Sequence, residues 1–127
     1  MRELKFRAWD KSQKYMAYQG NPDLETLSSF MFHFGEDIVL QSTGFFDKNE
    51  NEIFEGDILS DWNEVDGKQV QSFLQVFWCN SDGAWKLDSS FNQDKSSGDL
   101  LSEELSSFVY EISGNIYENP ELLQRSF

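Results

Sequence analysis

The stretch TGFFDKNENEIFEGDIL, residues 43–59, crowds oxygen-bearing side chains between two apolar flanks. Asp47, Asn49 and Asn51 alternate as the first three ligands of a helix–loop–helix calcium site do. Such a loop also needs glycine at its sixth position and a bidentate glutamate at its twelfth. Those positions hold Glu52 and Ile58, so the pattern fails. Asp and Asn there read as turn residues that bond their own backbone. Glu55 and Asp57 lie two apart in a strand pattern, so they share a face, as a general acid/base pair would. That chemistry needs a partner and a perturbed pKa; the simpler reading is a solvated acidic edge, with Asp57 free to accept bonds from nearby backbone N–H groups. Gly56, between them, marks a bulge or a close approach of another part of the chain.

Elsewhere the chemistry thins out. His33 is the only histidine and Cys79 the only cysteine, a poor start for a zinc site, which takes several such ligands. A catalytic triad would have to be built on His33, and no G-x-S-x-G elbow accompanies it. Between Phe32 and Phe34 it reads as a packed aromatic residue. Neither glycine-rich phosphate loop is present. Cys79 ends an apolar strand and reads as core or interface, not as a reactive thiol, which needs a depressed pKa. No catalytic, cofactor-binding or metal-binding residues are assigned, and the chain is expected not to be an enzyme.

The elements that would position these residues are short strands separated by turn signals. LKFRAW (4–9) and KYMAY (14–18) form an N-terminal hairpin around DKSQ. Asn21-Pro22-Asp23 starts a short amphipathic helix over 22–31. IVLQSTG (38–44) is a strand, DKNEN (47–51) a turn, and EIFEGDILSDW (52–62) the returning strand. Asp66-Gly67 turns the chain into VQSFLQVFW (70–78), which is apolar on both faces and therefore central in a sheet or at a subunit contact. NSDG (80–83) turns it again into AWKLD (84–88). Residues 89–99 are a Ser-rich loop, 100–107 form helical turns, 108–117 a strand, and Asn119-Pro120-Glu121 opens a short C-terminal helix. Many short strands with regular turns predict a mainly β fold, a small barrel or sandwich. Trp78 and Trp85 are expected to pack inside it. Trp9 and Trp62, with Phe73, Phe77 and Cys79 from the two-faced strand, are the candidate interaction surface.

The 127 residues suit one domain, and twelve Phe, four Trp and four Tyr supply a core. A lone cysteine fits a reducing cytoplasm. No apolar run approaches the roughly 20 residues that span a bilayer, and the start MRELKFRAWD has no long apolar run, so no secretion signal or membrane association is expected. The formal charge of -13 comes from 23 acids and 10 bases and repels nucleic acid at long range. The one basic cluster, Arg2, Lys5, Arg7, Lys11 and Lys14, reads as the solvated face of the hairpin.

Three separated blocks, KFRAWDKSQKYM (5–16), LQSTGFFDKNENEIFEGDIL (40–59) and ISGNIYENPELL (112–123), resemble the YopX-like family of small bacteriophage and prophage proteins. The resemblance implies an SH3-like barrel over 38–127 with a hairpin and short helix as an N-terminal extension over 1–37. It implies a bacterial cytoplasm and carries no known activity. Gly44, Asn49, Glu55, Gly56, Asp57, Gly114, Asn115, Asn119 and Pro120 carry the motif, in structural roles. One position departs from the family pattern: Glu50 stands where glycine is typical. Because glutamate resists left-handed backbone, Asn49 or Asn51 is expected to take that conformation instead. With no catalytic constellation, the expected function is protein–protein contact, with itself as a homo-oligomer or with a phage or host protein. An acidic mimic of nucleic acid, directed at a host nucleic-acid-binding protein, is the alternative; a nucleic-acid-binding SH3-like module is the third.

Overall fold

Strand boundaries follow the alternation of apolar residues and the few positions set in left-handed backbone. The computed structural model describes residues 5–18, 38–88 and 99–123. These form β1 (Phe6–Asp10), β2 (Tyr15–Tyr18), β3 (Ile38–Phe46), β4 (Glu52–Phe54), β5 (Asp57–Val65), β6 (Lys68–Cys79), β7 (Ala84–Asp88), β8 (Asp99–Leu100) and β9 (Glu111–Asn115). Helix α1 (Leu101–Ser107) and a 3-10 turn at Pro120–Leu122 complete them. The fold is mainly β, as the alternation predicts. One sheet has the order β2-β1-β3-β4, the other β8-β7-β6-β5-β9.

The turns show their chemistry. Asp10 Oδ1 accepts the N–H groups of Ser12 and Gln13 and closes the first hairpin. Asp66 and Gly67 both take positive φ, 53° and 79°, the geometry that matches a two-residue turn to the strand twist. The N–H of Gly83, at φ 60°, bonds to Cys79 O. β1 also pairs with β3, Arg7 opposite Leu40, so the hairpin shares a sheet with the first strand of the 38–127 segment.

β6 lies in the middle of the five-stranded sheet, between β5 and β7. Its two-faced pattern follows: Val76, Phe77 and Cys79 are all buried. The main core joins Ile53, Leu59, Val76, Trp85, Leu87, Leu101 and Tyr110, with Phe45, Leu74, Leu105 and Ile112 against it. Burying each large apolar side chain stabilises by about 1.5–3 kcal/mol. α1 owes its place to Leu101, which is fully buried.

Several expectations are corrected. The strand 52–62 is broken by a turn at Glu55–Gly56, because Gly56 sits at φ 89°. Glu55 and Asp57 therefore do not share a strand face. The strand of 108–117 shortens to β9. At the C-terminal end, Asn119-Pro120 opens a 3-10 turn among the described residues, where the Asn119 carboxamide accepts the N–H of Asn115 and caps no helix; residues 124–127 of the expected helix lie outside them. Trp85 packs in the core, but Trp78 is 42% exposed, because it lies beside the turn where the sheet ends. The helix over 22–31, His33 and most of the loop 89–99 lie outside the described residues.

Candidate interaction surface

Arg7 rises from β1, and its side chain is 3% exposed, so it is not part of a solvated basic face. Its Nη2 donates to Asp57 Oδ1 at 2.7 Å and to Glu55 O at 3.3 Å. The guanidinium also lies over the Phe54 ring, 4.9 Å from its centroid, a cation–π contact. Asp57 is 2% exposed, which corrects the reading of a solvated acidic edge. Its other oxygen accepts the Phe54 N–H at 2.7 Å. Burial pushes the Asp57 carboxyl above its ordinary value, against the pull of Arg7 and the Phe54 N–H. Both carboxylate oxygens are engaged within the fold, so the group acts as a pin between the sheets.

The third motif block closes on the same point. Asn115 Oδ1 accepts the N–H groups of Tyr117 and Glu118, folding 115–118 into a tight turn. That turn brings the Ile116 N–H to Gly56 O at 2.9 Å. Tyr117 packs on Gly56, where a Cβ would meet the ring at 3.2 Å, and stacks on Trp9 with centroids 6.0 Å apart. A Cβ on Gly114 would press into the Asn119 side chain, 2.9 Å from its Cβ. Pro120 begins the 3-10 turn that follows. Arg7 and Trp9, Gly56 and Asp57, Gly114, Asn115 and Asn119 thus form one junction, with Gly56 left-handed and tight against Tyr117 and Gly114 where a side chain would collide with Asn119.

The calcium-like segment is a turn tied to the core. Asp47 Oδ1 accepts the N–H groups of Asn49 and Asn51, and Oδ2 accepts that of Ile112 at 3.0 Å. Burial opposes the charged form, but these donors outweigh it and hold the carboxyl below its ordinary value. The left-handed residue is Glu50 itself, at φ 65°, not Asn49 or Asn51. The turn is closed by two bonds: Asp47 O accepts the Glu50 N–H, and Asp47 N–H bonds to Asn51 O. Those bonds fix position 50 whatever residue fills it. In β3, Gly44 takes φ 82° where the pairing with β4 shifts register. Among the described residues no group of three His, Cys, Asp or Glu could hold a metal ion.

The five candidate contact residues do not form one surface. Trp62 is 57% exposed on the β5–β6 hairpin. Trp9 is half-buried against Tyr117, and Phe73 is half-buried on β6. Phe77 and Cys79 are buried. Three of the exposed apolar side chains gather elsewhere. Phe46, Phe108 and Val109 rim a shallow depression of about 220 Å³, together with Lys48, Leu105 and Tyr110. A second depression, of about 250 Å³, lies between Gln41, Glu55, Trp78 and Trp85.

A family model described as YopX protein matches residues 22–124. The chain belongs to the YopX family. Its fold is similar to the crystal structure of protein EF1440 from Enterococcus faecalis, with a TM-score of 0.62 and 28% identity. The alignment covers 97% of this chain and 99% of that one. No curated protein matches it. No helix among the described residues is long and apolar enough to cross a membrane.

In this YopX protein, sequence reasoning missed Arg7 as a buried partner and Phe46, Phe108 and Val109 as a patch. Arg7 alternates with Phe6 and Ala8 as an outward residue should; nothing local reveals that the second sheet covers it. Phe46, Phe108 and Val109 are apolar residues beside turns, where pattern alone reads core.

Proposed function

We propose that this YopX protein is a phage or prophage accessory protein that acts in the bacterial cytoplasm by protein–protein contact, with a second copy of itself or with a phage or host protein, and catalyses no reaction. The observation that supports this is the apolar patch. Phe46, Phe108 and Val109 are 55%, 51% and 69% exposed around one depression. Grouped exposed apolar side chains of this kind mark interaction sites. An ion pair between Lys48 and Glu111, at 3.7 Å, lies beside it, giving an apolar centre with a charged margin, the anatomy of a protein interface. The phage setting is supported by the three motif blocks. Affinity capture from lysogenic cells with the wild-type chain and with Val109→Lys tests the reading. The expected result is a protein, or an untagged second copy, held by the wild type and lost by the variant. Nothing held, or equal retention by both, would contradict it.

A further inference from the structure

We propose that the depression between Trp78, Trp85, Glu55 and Gln41 is a recognition site for an arginine side chain. Trp78 on β6 and Trp85 on β7 are direct cross-strand partners. Their ring centroids are 5.1 Å apart and their planes stand 70° to each other, so they form two walls of a corner. Glu55 and Gln41 line the same depression of about 250 Å³.

Glu55 supplies the charge. Burial pushes its carboxyl above its ordinary value, opposed by the Gln41 N–H and by the Arg7 charge. Arg7 is committed to Asp57, and Glu55 makes no ion pair among the described residues. A half-buried carboxylate in this setting favours an incoming cation. Indole faces attract cations, and attract weakly hydrated ones most. A guanidinium is planar, so it can stack on one ring while its edge donates two bonds to a carboxylate; an ammonium cannot do both. Gln41 borders the depression beside Glu55. The formal charge of -13 draws cations toward the whole surface.

A neighbouring depression of the same Trp pair is a natural contrast. It has a similar volume but is lined by Phe45, Gly83, Ala84, Leu100 and Ser102, with no ionisable side chain. The two differ in charge, and only the Glu55 side matches a cation.

That the arginine belongs to a protein partner rests on the contact reading above; the preference of the depression for a guanidinium does not. The test is therefore made with a small probe. N-acetyl-arginine amide is titrated into the full-length protein while the four indole N–H resonances are followed by NMR, assigned with Trp78→Phe. Saturable shifts of the Trp78 and Trp85 resonances are expected. The uncharged isostere N-acetyl-citrulline amide should leave them in place. Glu55→Gln should weaken binding by about tenfold, the loss of one charge-assisted bond. Trp78→Ala, at a half-exposed position, should abolish it. Absent shifts, equal response to citrulline, or indifference to Glu55→Gln would overturn the proposal. Arginine binding without any captured partner would retain the site and sink the contact reading; a captured partner without arginine binding would do the reverse.

Discussion

The Arg7 guanidinium meets the Asp57 carboxylate at 2.7 Å across fifty positions of sequence, with both groups almost wholly buried. The pair links the sheet of β1 to the sheet of β5. Trp9, Gly56, Ile116 and Tyr117 close around it, so the three motif blocks are one junction in space. In this YopX chain Arg7 and Asp57 hold the two sheets together.

Removing one partner should therefore be expensive. A buried charge left without its counterpart destabilises by about 3–5 kcal/mol. Arg7→Met and Asp57→Leu are each expected to lose that much in urea unfolding. The double variant should lose clearly less than the sum, because neither charge is stranded. Additive losses would show that the two groups are not coupled.

Glu50 is a local misfit. A left-handed position costs a residue with a Cβ about 1–2 kcal/mol, and glycine almost none. Glu50→Gly should stabilise the protein by about 1 kcal/mol, reduced by the greater entropy of an unfolded glycine. Glu50→Ala keeps the Cβ and should change stability little. Thermal unfolding of the two variants, with only the glycine raising the midpoint, is the expected outcome.

Two carboxyls give opposite pH dependences. The folded pKa of Asp47 is depressed, so its contribution is present above the ordinary value of 3.8 and is lost as pH falls through the lower folded value. Asp47→Asn should be less stable than the wild type at neutral pH, with the gap closing in strong acid. The folded pKa of Glu55 is raised, so protonation favours the fold. Its contribution is present below the ordinary value of 4.5 and is lost as pH rises through the folded value. Glu55→Gln should be more stable than the wild type at neutral pH, and the advantage should vanish below about pH 4.5. Unfolding curves collected across pH check both signs.

Local patterns reached the elements but not the junction. Alternation and turn residues located the hairpin of β1 and β2, the Asp66-Gly67 turn, the central place of β6 and the helical turns of α1. The close approach at Gly56 was legible, because glycine within a strand pattern has few other uses. The Arg7–Asp57 pair was not, since alternation places Arg7 outward and only tertiary packing covers it. Glu50 misled for a related reason: its backbone is set by bonds from Asp47 and Asn51, which override the preference of the residue itself. Exposure at Phe46, Phe108 and Val109 depends on where the sheets end, which no local period encodes.

Self-association is the contact that can be measured without knowing any other partner. Light scattering coupled to size-exclusion chromatography, run over a range of concentrations, compares the wild type with a Phe46→Ser/Val109→Lys variant. We expect the wild-type mass to rise above the 14.8 kDa of one chain with concentration, and the variant to remain at one chain with its fold intact. A wild type that stays at one chain throughout, or a variant that associates as strongly, would contradict self-contact through this apolar patch.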